Sequence, residues 1–423
     1  MEIYLIGLAV ALVGGLLMSR LTRLLHLPAV TAYLVAGLLL GPFFLGRLNV
    51  PGLGFNTLEE VNVLSIVSQT ALGFIAFAMG NEFRLSQLRT IGSRAIIIGI
   101  LQAVITTIVV DVILLLLHLF FPHIISVPCA ITLGAIAAAT APAATLMVVR
   151  QYKADGPMTR LLMLVVALDD AVGLLLFSVS FGIATALSNG QVSVLAVVVE
   201  PIVEILLSVG LGGFMGLLLH WVERFFHSRS KRMSLSVAFV MLTVGLSMLE
   251  FQIGPVHCGF SLLLVCMMTG TIFCNVCPTS EELMERVDGW TMPLNILFFV
   301  ISGAELDLNV LSQPVTLIVD IIARSAGKYC GANLSCRITK EPKSIVDHLG
   351  ITLLPQAGVA LGMAITAASL SDGALARNVV LFAVLVYELV GPTLTKRSLL
   401  AVGEIRPEGR TNARKQNDPK EAK

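Results

Sequence analysis

The stretch LVVALDDAVGLLLF, residues 164–177, decides how this chain is read. Asp169 and Asp170 stand side by side in it, and every neighbour is apolar. A carboxylate near the centre of a bilayer costs about 2.5 kcal/mol or more. Two in one helix need a partner or a watered cavity.

The composition puts that helix in a membrane. Of 423 residues, 56% are hydrophobic and 13% charged, against about 25% charged in a soluble domain. A transmembrane helix needs roughly 20 apolar residues. The chain offers thirteen candidates, at 3–19, 28–46, 58–80, 93–117, 125–148, 161–187, 195–222, 233–250, 257–275, 290–306, 314–336, 345–370 and 377–396. The first lacks a basic flank and a small-residue cleavage signal, so it reads as a span and not a signal peptide. The fold class expected is an all-α polytopic membrane protein.

Net charge is +1, but the distribution is uneven. With the N-terminus outside, the inner loops and the C-terminal end hold 24 of the 28 Lys and Arg. The outer loops hold only Arg47 and Arg377, and Arg324 and Lys328 lie within a span. The positive-inside rule then places the N-terminus outside and the C-terminus in the cytoplasm. A faint repeat runs through the chain as well. FAMGNEFRLSQL (77–88) aligns with VISGAELDLNVL (300–311), matching Gly80 with Gly303 and Glu82 with Glu305. The copies end on opposite sides, as inverted repeats of secondary transporters do.

Asp169 and Asp170 are the ninth and tenth residues of their run, about 12–14 Å deep at 1.5 Å per residue. Neighbours on a helix point about 100° apart, so one aspartate can meet another helix while the other faces an opening. The candidate partner lies in IIARSAGKYCGANL (321–334), where Lys328 is central and Arg324 is one turn earlier. A buried lysine can give up its proton, whereas an arginine stays charged. Lys328 is therefore the candidate switch. Arg324 needs a permanent counter-ion, and Glu388 in VLVYELVGP (384–392) is expected to form a structural ion pair with it.

Two spans are interrupted by proline at mid-depth. AAATAPAATLM (137–147) holds Thr140 and Pro142, and TLLPQAGVALGM (352–363) holds Pro355, Gln356 and Gly358. Proline removes a backbone donor and frees a carbonyl. Paired broken helices in two halves point to a transporter's binding site. Gln102, Asp111, Glu200 and Glu204 read as satisfied polar contacts at least as readily as cavity linings. Cys274 and Cys277 form a CxxC with no second ligand pair beside it, so they read as free cysteines.

In this order, LPAVTAYLVAGLLLGP (27–42), ATAPAAT (139–145), LDDAVG (168–173), FFVISGAEL (298–306), GKYCGA (327–332) and LLPQAGVALG (353–362) resemble segments of the cation:proton antiporter superfamily. The chain is similar to its bacterial sodium/proton antiporters, in the electrogenic branch with a paired aspartate. The resemblance implies inverted repeats with two crossing broken helices. It implies dimerisation-domain helices in 1–90 and 231–312, core helices in 91–190 and 313–400, a linker helix in 191–230 and a polar cytoplasmic tail in 401–423. It implies that Asp170 binds Na⁺ and exchanges it for a proton, that Asp169 pairs with Lys328, and that Thr140 helps to complete the cation's oxygen shell. The acidic pair implies electrogenic exchange by an elevator-type movement of the core. The partners implied are Na⁺ or Li⁺, H⁺, membrane lipid and a second copy of the chain. No nucleic acid and no cofactor is expected. The location implied is a bacterial inner membrane.

Three rivals remain distinguishable. A K⁺/H⁺ antiporter keeps the family, but only a short polar tail follows the last span, where such relatives often carry a nucleotide-binding domain. A sodium-coupled organic-anion symporter keeps the fold but needs a roomier site. An intramembrane aspartyl protease carries its aspartates on two helices with GxGD, which is absent, as is HExxH.

Overall fold

The computed structural model describes residues 2–24, 29–48, 54–85, 93–141, 145, 148–149, 152–188, 200–249, 251–253, 256–306 and 314–405. Among these the fold is all-α apart from one small hairpin. The helices are α1 Glu2–Leu24, α2 Ala29–Leu40, α3 Leu58–Val63, α4 Ser65–Glu82, α5 Ser93–Phe120, α6 Val127–Ile136, α7 Pro157–Ser188 and α8 Glu200–Glu223. They continue with α9 Arg229–Ser247, α10 Leu262–Val276, α11 Ser280–Ala304, α12 Pro314–Ile338, α13 Lys343–Thr352, α14 Gly358–Ala367 and α15 Gly373–Ala401. In the hairpin, β1 Phe251–Ile253 pairs antiparallel with β2 Val256–Cys258, with Gln252 opposite His257.

Each of the thirteen apolar runs overlaps a helix, and the departures have physical causes. The run 125–148 breaks after α6 at 137–141 and is helical again at 145 and 148, and 345–370 divides into α13 and α14. Residues 257 and 258 lie in β2, not in the helix expected from 257. The helix expected at 290–306 starts ten residues earlier, as α11. Its first turn carries Glu281 and Glu282, which favour a helix N-terminus but hide it from a hydropathy reading. Among the described residues, six helices are long and apolar enough to cross a membrane by length and composition alone.

The faint repeat has a counterpart in packing. A Cβ on Gly80 would stand 1.9 Å from the Met267 carbonyl oxygen, and one on Gly270 would stand 2.1 Å from that of Phe77. At a second crossing, a Cβ on Gly303 would lie 2.2 Å from the Leu34 oxygen, and one on Gly37 2.0 Å from that of Val300. Each glycine thus faces the residue three before its partner glycine. α4 crosses α10 as α2 crosses α11, and only small residues let membrane helices approach so closely. Gly80 and Gly303, matched by sequence, occupy equivalent places.

Contacts between loops sort the chain into two faces. Arg84 bonds Glu281 at 2.9 Å, Arg229 bonds Glu282 at 2.9 Å, Arg232 bonds Glu223 at 3.3 Å and Arg94 lies 3.9 Å from Glu341. All of these join loops of the strongly basic set. Arg377 and Glu305, 3.4 Å apart, join loops of the other set.

Candidate functional site

α6 and α13 end in mid-molecule, and the chain leaves each as a short non-helical segment. The two segments cross, where the Ala141 amide donates to the Pro355 carbonyl at 2.8 Å. A helix end exposes carbonyls without intrahelical donors, which is tolerable at membrane depth only if protein supplies partners. Here side chains supply them. Gln356 Nε2 donates to the Ile136 carbonyl at 3.1 Å. Arg324 donates to the carbonyls of Ala137 at 3.1 Å, Ala139 at 2.8 Å and Leu354 at 2.8 Å. Lys328 Nζ donates to the Ala138 carbonyl. Two cations thus sit at the negative end of the α6 dipole.

Lys328 also pairs with Asp169. Their Nζ and Oδ2 are 2.7 Å apart, and both side chains are fully buried. Both oxygens of the carboxylate have further donors. Gln102 Nε2 donates to Oδ1, and Thr140 Oγ1 donates to Oδ2. Lys328 reaches Thr140 Oγ1 at 2.9 Å and Gln102 Oε1 at 3.3 Å. Four elements meet in this network: α5 through Gln102, the segment after α6 through Thr140, α7 through Asp169 and α12 through Lys328. Close approach of α12 to α5 makes it possible, since a Cβ on Gly331 would stand 2.7 Å from the Gln102 carbonyl oxygen.

The site residues read from sequence are distributed as follows. Asp169, Lys328, Thr140, Pro355, Gln356 and Arg324 converge on the crossing. Gly358 opens α14 directly after it. Pro142 and the Asp170 side chain lie outside the described residues, although the Asp170 backbone belongs to α7. One expectation is corrected. Arg324 forms no ion pair with Glu388 among the described contacts. Its guanidinium is spent on three carbonyls freed by the helix breaks and lies 4.4 Å from the centre of the Tyr387 ring. Glu388 is 1% exposed, and its Oε1 has no hydrogen-bond partner. Thr140 contacts Asp169 and Lys328. Gln102 is the residue that sequence reading undervalued: a neutral amide in mid-span carries no charge signal, yet it holds both members of the ion pair.

A cavity of about 710 Å³ lies further along α7. Phe177, Ser178 and Phe181 of α7, Thr366 of α14, Gln69 of α4 and Glu204 of α8 line it. Phe177 is two turns beyond Asp170 on nearly the same helix face. The cavity reaches Ser188, Ser247 and Ser371, at helix ends on the less basic face.

Comparison with known proteins agrees with this architecture. A family model described as sodium/hydrogen exchanger, transmembrane, matches residues 8–397. A structure of the sodium proton antiporter MjNhaP1 from Methanocaldococcus jannaschii at pH 8 superposes with a TM-score of 0.72 at 18% identity, covering 94% of this chain and 98% of that one. A second, from an electron-microscopy map of the same antiporter, gives 0.68 at 18% identity over 95% and 98%. At that identity the likeness shows the fold. K(+) efflux antiporter 5 of Arabidopsis thaliana is 31% identical over 94 residues, 22% of this chain. The match spans only 14% of that relative's length.

Proposed function

The chain belongs to the sodium/hydrogen exchanger family, and from that premise we propose that it exchanges Na⁺ or Li⁺ for H⁺ electrogenically, with Asp170 as the shared site. Cation/proton antiport across a membrane is the family's activity; the ion, the charge moved and the movement are our reading. The observation that carries it is the fully buried Asp169–Lys328 pair at the crossing of the broken helices.

Both oxygens of Asp169 are engaged, Oδ1 by Gln102 and Oδ2 by Thr140 and Lys328. Asp170 is the next position of α7, turned about 100° around the helix axis. It is the carboxylate left to bind a cation. A hard ion such as Na⁺ suits a carboxylate with backbone carbonyls, and the crossing concentrates both. Proton and cation compete for that carboxylate. When Na⁺ binds, the proton on Asp170 leaves; loosening of the Asp169–Lys328 pair lets the lysine release a second. Either load neutralises Asp170, whereas a bare carboxylate is costly to carry through hydrocarbon. That cost couples the two fluxes.

The cavity supplies a water path to one face, and sliding of α5–α7 with α12–α15 against the remaining helices would open the other. We place the protein in a bacterial inner membrane as a homodimer, with the basic face cytoplasmic. The local likeness to a plant K⁺ efflux antiporter favours K⁺/H⁺ exchange as the second reading. Asp170→Asn in liposomes tests the site: it is expected to abolish Na⁺-driven proton movement while the protein remains folded. Full exchange by a folded Asp170→Asn protein would remove Asp170 from the mechanism.

A further inference from the structure

A second buried cluster lies far from the ion site, on the basic face, where α8 meets the turn between α10 and α11. His220 and Glu223 project from the last turn of α8, 8% and 3% exposed. Cys277, 3% exposed, follows α10. One ligand atom from each of the three lies within 4.8 Å of the others. Cys277 Sγ donates to Glu223 Oε2 at 2.9 Å, while Glu223 Oε1 takes Thr279 Oγ1 at 3.1 Å and Arg232 Nε at 3.3 Å. Burial keeps the Cys277 thiol above its ordinary pKa, and the neighbouring carboxylate adds to the effect.

This arrangement is poorly explained as packing. His220 Nδ1 is buried without a hydrogen-bond partner, which costs about 1–3 kcal/mol. Its Nε2 is held only by Arg224, 2.7 Å away, whose side chain is exposed and able to swing into water. Arg229 and Arg286, the other cations nearby, are engaged with Glu282 at 2.9 and 3.6 Å. A cavity of about 20 Å³ touches Glu223 and Thr279, enough for one water.

We propose that His220, Glu223 and Cys277 form a site for a borderline divalent cation of the Zn²⁺ class. Imidazole nitrogen, carboxylate oxygen and thiolate sulfur are the ligand types Zn²⁺ takes, and three protein ligands leave a fourth position for water. The i, i+3 spacing puts His220 and Glu223 on one face of α8. On binding, the Cys277 S–H proton leaves, and sulfur and Oε2 exchange their mutual hydrogen bond for bonds to the metal. The thiolate and carboxylate then balance the ion's two charges. Such an ion would pin α8 to the turn joining α10 and α11. Cys274 takes no part: its Sγ faces the carbonyls of Gly80, Phe83 and Thr271. The CxxC is therefore not the chelating unit; the partners of Cys277 lie 54 and 57 residues earlier in the chain.

Co²⁺ titration of the purified full-length protein tests this, because a cobalt–thiolate bond gives a charge-transfer absorption that imidazole and carboxylate do not. The wild type is expected to develop the band at one Co²⁺ per chain, and Zn²⁺ is expected to bleach it. Cys277→Ser should abolish the band, and His220→Ala should weaken Co²⁺ binding at least about tenfold. If one variant fails to fold, the other decides. Absence of the band in the wild type, or its persistence in folded Cys277→Ser or undiminished in folded His220→Ala, would overturn the site.

Discussion

Asp169 and Lys328 illustrate how a buried charge pair is kept. Neither is exposed, and each finds further partners, so removing one leaves the other uncompensated. Breaking such a pair costs about 3–5 kcal/mol. Lys328→Ala is expected to lower thermal stability by that order, read by melting in detergent; unchanged melting would mean that the pair contributes nothing to folding. Glu388 behaves differently. Because it does not neutralise Arg324 and leaves one oxygen without a partner, Glu388→Gln should change stability by less than about 1 kcal/mol. A large loss would revive the Arg324–Glu388 pair. Much of the ion-site network was legible in the sequence because charges in apolar runs are conspicuous. The partner of Arg324 was not, since it is backbone: carbonyls freed at a helix break have no letter in the sequence. Gln102 reads from sequence as an ordinary polar contact for a related reason. Its importance comes from register against Lys328 on another helix, which only the fold supplies.

At the level of elements, the helix that carries the aspartates is capped from the far end of the chain. Gly156 precedes α7 and has no side chain to cap it. Glu404 accepts instead from the Met158 and Thr159 amides, both at 2.7 Å, and from Thr159 Oγ1 at 2.7 Å. A carboxylate at a helix N-terminus also complements the dipole. Glu404→Ala should cost about 0.5–2 kcal/mol, the usual loss of an N-cap, measured by thermal melting; no loss would show that water caps α7 equally well. The glycine crossings make a second element-scale test. A methyl on Gly303 would collide with the Leu34 carbonyl oxygen, so Gly303→Ala is expected to destabilise by about 1–3 kcal/mol through overpacking. Element positions were largely legible from apolar runs, as membrane spans are. The start of α11 was not, because its polar first turns obey helix-terminus chemistry instead of hydropathy.

For the whole molecule, our proposal takes the cavity as the water path from the less basic face. If that side is extracellular, Ser178→Cys, in the cavity wall, should react with a membrane-impermeant maleimide added outside, above the wild-type background. Reaction only from the cytoplasmic side would reverse the orientation. The inverted arrangement was faintly legible in one short match; the reciprocal crossings that support it were not, because they join helices far apart in sequence. The central claim concerns charge. We propose that the Asp169–Lys328 pair couples more than one proton to each monovalent cation. Proteoliposomes holding the purified protein, given a Na⁺ gradient and then a K⁺ gradient while luminal pH and membrane potential are recorded together, test it most directly. The account predicts that Na⁺ moves protons and generates a potential, and that Asp169→Asn removes the potential. Electrically silent exchange by the wild type, or exchange driven by K⁺ alone, would contradict it.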